Sequence, residues 1–124
     1  MKSNKEILEQ FGNLLTSEVF DSQYRFILNE VSDLSQTNGY TNLFQKMNDV
    51  QKKEIEYYTR EILEGALFDF LRIFEEHPEF KIVYEENGEQ IDLNKISEML
   101  KAEPIIDNGW IKRFSKELNN ESLF

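Results

Sequence analysis

Residues 61–93 read EILEGALFDFLRIFEEHPEFKIVYEENGEQIDL, and within that run a period of 3.6 residues gives way to a period of 2. Up to position 76 the apolar residues Ile62, Leu63, Ala66, Leu67, Phe68, Phe70, Leu71, Ile73 and Phe74 recur at helical spacing. Pro78 then stops the helix, since it has no N–H to donate and its ring clashes with the preceding turn. Beyond it, 80–86 and 89–93 alternate around Asn87-Gly88, a pair that favours the positive φ angles of a two-residue type I′ turn. Such a loop pairs Glu86 with Glu89, Tyr84 with Ile91 and Ile82 with Leu93. The apolar residues then share one face, and Glu85, Gln90 and Asp92 share the other. A long helix feeding an antiparallel hairpin points to an α+β fold.

Working backwards, the helix extends to about residue 49, with Asn48 or Asp49 as its N-cap and Glu56 placed to pair with Arg60. Its second half is apolar around most of its circumference. Only a narrow polar stripe of Glu61, Gly65, Asp69, Arg72 and Glu76 remains, which predicts a central, buried helix over about 49–76. Gly65 in mid-helix costs about 1 kcal/mol relative to alanine and predicts close approach by another element. Earlier in the chain, Ile7, Leu8, Phe11, Leu14 and Leu15 mark one amphipathic helix. Phe20, Tyr24, Ile27, Leu28, Val31 and Leu34 mark a second, or a continuation of the first. A loop around Asn38-Gly39 and a helical turn over 43–47 follow.

After the hairpin, Asp92 or Asn94 caps a short helix carrying Ile96, Met99 and Leu100, which Pro104 ends. Ile105-Ile106 reads as a third short strand, and 110–118 fits either strand or helix. An isolated hairpin is marginal, so its apolar face, Phe80 included, must pack on helices or on a further strand. With no repeats, low-complexity tracts or linkers, residues 1–124 read as a single domain. The expected fold is predominantly helical α+β, three to four helices around the 49–76 helix with a small antiparallel β-hairpin over 80–93.

The 124 residues carry 24 acidic and 14 basic side chains, a net charge of −10. Nine of the acids lie within 75–103 against three lysines, so that segment alone carries −6. A surface of this sign repels phosphate backbones and anionic membranes and attracts basic proteins. The expected partner is therefore a basic protein, with no nucleic acid and no membrane. Glu85, Glu86, Glu89 and Asp92 are the candidate docking residues, because complementary charge speeds encounter and rejects wrong partners. A merely solvated acidic face is the plainer reading of the same residues.

Cysteine is absent, which removes disulfides, thiolate metal sites and cysteine nucleophiles. With a single histidine, a structural zinc site is disfavoured, and no Asp-x-Asp-x-Asp-Gly calcium loop is present. The scattered glycines form neither a phosphate-cradling loop nor a dinucleotide fingerprint. No metal and no cofactor is therefore expected. The opening residues lead into an amphipathic stretch instead of a continuous apolar run, so they do not read as a signal peptide, and a cytoplasmic protein is expected. The oligomeric state stays open.

Two resemblances carry functional implications. Arg72-Ile73-Phe74-Glu75-Glu76-His77 resembles the Arg-x4-His signature of the HEPN superfamily of small all-helical ribonucleases. That resemblance implies a metal-independent ribonuclease in which His77 is a general acid or base and Arg72 stabilises the transferring phosphate. The plainer reading has His77 at a helix C-terminus, where a cation suits the dipole, and Arg72 paired with Asp69 or Glu76. The run Asp107-Asn108-Gly109-Trp110-Ile111-Lys112-Arg113-Phe114-Ser115-Lys116 resembles the ending of small acidic bacterial immunity proteins of polymorphic toxin systems. It implies a non-enzymatic protein that binds and blocks a basic toxin, and transfers no site residue. Trp110 among Lys112, Arg113 and Lys116 reads either as a base-stacking aromatic or as a core residue.

Overall fold

The computed structural model describes residues 2–29, 31–42 and 44–121. In chain order it holds α1 (Asn4–Leu15), a π turn (Thr16–Phe20), α2 (Asp21–Asn29), α3 (Val31–Leu34), α4 (Asp49–Glu76), β1 (Val83–Glu86) and β2 (Glu89–Asp92). Then come α5 (Leu93–Ile96), a 3-10 turn (Leu100–Ala102), α6 (Trp110–Phe114) and α7 (Lys116–Glu121). The fold is α+β and predominantly helical, with one two-stranded antiparallel sheet. Among the described residues no helix is long and apolar enough to cross a membrane.

Helix α4 has the expected bounds for the expected reasons. The Asn48 side chain accepts from the Gln51 N–H at 2.8 Å while the Gln51 side chain accepts from the Asn48 N–H at 2.9 Å, a reciprocal capping box. His77 caps the other end, its N–H donating to the Ile73 carbonyl, and Pro78 follows. Its burial is one-sided, however. Leu67 and Leu71 are buried under α2 and the 100–102 turn, while Ile62, Phe70 and Ile73 face solvent. The expectation of a helix buried on most sides is corrected here. Apolar circumference measures what a helix could bury, whereas the covering elements decide what it does bury, and α1 packs on α5 and α6 instead. Gly65 correspondingly has open space around its missing Cβ, so among the described residues no element makes the close approach expected there.

The close approach occurs at Gly12. A Cβ there would stand 2.5 Å from the Trp110 ring, so only glycine lets the indole lie against α1. Trp110 is 1% exposed and meets Phe11 edge-on at 5.6 Å. It belongs to a core group with Ile7, Leu71, Leu93 and Leu100, and a second group gathers Phe20, Tyr24, Ile27, Phe44, Leu67 and Ile111. Helices α1 and α2 run on through the π turn without a break. Residues 110–118 resolve as helix, α6 and the start of α7.

The hairpin register is the expected one, Glu86 with Glu89, Glu85 with Gln90, Tyr84 with Ile91 and Val83 with Asp92. Asn87 and Gly88 take φ of 53° and 83°, as a type I′ turn demands. Ile82, Tyr84 and Ile91 pack on the Trp110 group. Phe80 does not; it lies in a turn whose N–H donates to the His77 carbonyl, and its ring is exposed. Ile105-Ile106 forms no third strand either. Both N–H groups donate to the Ala102 carbonyl, giving local turns behind Pro104. Of the turn expected over 43–47, Leu43 lies outside the described residues, and 44–47 is a turn closed by the Met47 N–H on the Phe44 carbonyl. Phe44 reaches the core with φ of 74°, a strained backbone for an aromatic residue.

Candidate docking surface

The hairpin sorts its four candidate carboxylates by alternation. Glu85 points to the outer face and accepts a hydrogen bond from the Gln90 amide at 3.0 Å, a neutral partner. Glu89 is exposed with no ion-pair partner among the described residues. Glu86 is half-buried on the inner face, accepting from the Tyr84 hydroxyl at 2.8 Å. That hydrogen bond holds the Glu86 carboxyl below its ordinary pKa, with Lys2 adding to the effect against partial desolvation, and it raises the Tyr84 phenol. Asp92 is half-buried and serves the fold, accepting from the Asn94 N–H at 3.0 Å as the N-cap of α5. The structure thus brings all four together on the hairpin, with Glu85 exposed on the outer face and Glu89 exposed beside the turn on the same face as Glu86.

One electrostatic consequence follows from the register. Glu86 and Glu89 stand directly opposite each other across the ladder, and like charges in that position destabilise a hairpin. Tyr84 draws the Glu86 carboxylate to one side, and Lys2 sits nearby with its ammonium 5.8 Å from the Tyr84 ring centre. Glu89 receives no such relief. Next to the hairpin, the Asn94 amide donates to the Phe74 carbonyl at 2.9 Å, fastening β2 and α5 to the end of α4.

Arg72 and His77 are each held by their own neighbours. Arg72 contacts Glu76 at 2.9 Å and Asp69 at 3.5 Å, and the Glu76 hydrogen bond leads the rise of its pKa. His77 is exposed with Nδ1 3.6 Å from Glu79. Lys101, at 3.3 Å, answers Glu75. In the C-terminal basic run, Lys112 binds Asp107 at 2.7 Å and Arg113 binds Glu9 at 3.0 Å. Trp110 is a core residue, so no base can stack on it. Glu103, partly buried, has its carboxyl raised by that burial.

A cleft of about 480 Å³ opens between the end of α4 and α5, lined by Phe74, Pro78, Lys81, Lys95, Glu98 and Met99 among others. The Ser97 hydroxyl at its edge is buried without a hydrogen-bond partner among the described residues. Its lining mixes lysines and carboxylates with apolar side chains and holds no histidine. Among the described residues no group of three or more His, Asp or Glu side chains is placed to hold a metal ion.

Sequence reasoning found the hairpin carboxylates through the turn signal. It does not reveal that α4 carries an exposed apolar face at Ile62, Phe70 and Ile73, because apolar periodicity is the same whether or not another element covers it. No protein-family model matches the chain, and no curated protein or solved structure matches it either.

Proposed function

We propose that this protein is a non-enzymatic, cytoplasmic binding module whose acidic surface docks a basic protein, in the manner of an immunity protein neutralising a basic toxin. The observation that carries the reading is that Glu85 and Glu89 are exposed on the hairpin with no cation within 4 Å of either among the described residues, in a chain of net charge −10. Arg25, Arg60, Arg72, Lys101, Lys112 and Arg113, by contrast, each sit within 4 Å of another carboxylate of the same chain. A basic partner would supply the cations that Glu85 and Glu89 lack among the described residues of the free protein.

The test is affinity capture from the native host lysate at low salt, with mass-spectrometric identification, using the wild type, Glu85→Lys with Glu89→Lys, and His77→Ala. The reading expects one basic protein that high salt releases, lost from the charge-reversal variant and kept by His77→Ala. An RNA-cleaving activity that vanishes in His77→Ala would overturn it in favour of the ribonuclease reading.

A further inference from the structure

Helix α4 presents solvent with an apolar stripe that nothing in the described chain covers. Tyr58 and Ile62 are 58% and 52% exposed, Phe70 and Ile73 are 52% and 43% exposed, and Ala66 lies open between them. At 100° per residue these five fall within about 120° of the helix circumference and run along about 22 Å of its axis. Large apolar residues aligned over four turns of a solvated helix mark an interaction site more often than isolated exposed ones do. Gly65, with nothing within 4 Å of its missing Cβ, lies just beyond the Tyr58 edge of this face and makes that edge shallow, so a second helix can come close there.

The charge beside the stripe selects the occupant. Glu54, Glu61, Asp69 and Glu76, all exposed, follow at spacings of seven or eight residues along the Tyr58 side. Arg72 is the cation on that flank and is shared between Asp69 and Glu76, leaving the row at −3. A second copy would bring the same acidic row against this one, on a chain already at −10. An anionic lipid surface would be repelled in the same way.

We propose that the outward face of α4 is the apolar anchor for the partner, and that it takes a basic amphipathic helix whose leucine-like face covers Tyr58, Ile62, Phe70 and Ile73 while its cations meet Glu54, Glu61 and Asp69. This rests on the basic-partner reading above and adds the specific surface. Apolar anchors at i, i+4 and i+7 or i+8 spacing supply affinity in helix-on-helix recognition, and the charged rim supplies orientation and rate.

The probe is a synthetic leucine–lysine helix of about 15 residues with leucines on one face, long enough to match the stripe. A leucine–glutamate helix of the same pattern is the control. Fluorescence anisotropy is measured on the wild type, on Ile62→Gln with Phe70→Gln, on Tyr58→Gln alone, and on Glu85→Lys with Glu89→Lys. The full chain is checked by circular dichroism and by sedimentation. The proposal expects the lysine helix to bind and the glutamate helix not to. It also expects the double stripe variant to lose about tenfold in affinity and Tyr58→Gln to lose less, while the hairpin variant stays within about twofold. Unchanged binding in both stripe variants would overturn the stripe. If binding disappeared only in the hairpin variant, the basic-partner reading would stand and this anchor would fall. If neither helix bound, this anchor would fall, and the basic-partner reading would be decided by the lysate capture alone. A wild-type dimer that the stripe variants convert to monomer would assign the face to a second copy and overturn the proposal.

Discussion

The Asp21 carboxylate accepts a hydrogen bond from the Ser115 hydroxyl at 2.6 Å, although the two residues are 94 positions apart. Both are fully buried. The second Asp21 oxygen accepts from the Lys116 N–H at 2.9 Å, and the Ser115 oxygen accepts in turn from the Leu118 N–H at 3.1 Å. A single carboxylate at the start of α2 thus satisfies the otherwise orphaned donors at the start of α7 and ties the two ends of the chain together. Asp21→Ala should cost about 1–3 kcal/mol, because it strands a buried hydroxyl and a part-buried N–H. Ser115→Ala should cost less, near 1 kcal/mol, since Lys116 still holds the carboxylate. Urea unfolding of the two variants checks the order.

Two glycine substitutions should move stability in opposite directions. Both Gly12 and Gly65 are helical, so alanine improves propensity at each by about 1 kcal/mol. At Gly65 the space is open, and Gly65→Ala should raise stability by nearly that amount. At Gly12 the new methyl meets the Trp110 ring at 2.5 Å, and overpacking of about 1–3 kcal/mol should outweigh the gain. Thermal unfolding measures both.

Across the hairpin, Glu89→Gln removes the charge opposite Glu86. It should raise stability by about 0.2–1 kcal/mol while weakening partner binding, so stability and function separate at one residue. Denaturation and affinity measured on the same variant read the two effects.

The carboxyls of Glu86 and Glu103 should titrate on opposite sides of the ordinary range. Glu86 is lowered by Tyr84, so the stability it contributes is present above the unfolded pKa and is lost as pH falls through the folded value. Glu103 is raised by burial. Its ionisation therefore costs stability as pH climbs from the unfolded pKa to the folded one, and protonation removes that cost. Tyr84→Phe should return Glu86 toward the ordinary value and leave Glu103 unmoved, which carboxyl NMR titration follows residue by residue.

The parts of the fold legible in the sequence were those set by local rules. Asn87-Gly88 dictated the register, and once the register was known the face of every hairpin residue followed. Asn48 and Pro78 bracketed α4 because capping and proline act within a turn of where they stand. What depended on distant elements was not legible. Which side of α4 would be covered depends on α2 and the 100–102 turn, far apart in the chain, so Ile62, Phe70 and Ile73 looked like core. The contact of Gly12 with Trp110 joins residues far apart in the chain and leaves no local pattern either. Asp21 carried no signal at all, since a buried carboxylate whose partners lie 94 and 95 residues away leaves no periodicity to read. Of the candidate site, Glu85 was legible as an outward residue and Glu89 as the cross-strand partner of Glu86, while the diversion of Asp92 into a helix cap was legible only as one of two options.

The most direct test of the central claim is the salt dependence of partner capture by wild-type protein and by Glu85→Lys with Glu89→Lys. If the protein works by acidic docking, one basic protein is retained by the wild type at low salt, released at high salt, and absent from the charge-reversal variant at either. A partner held equally by both proteins at both salts, or recovery of RNA in its place, would contradict the account.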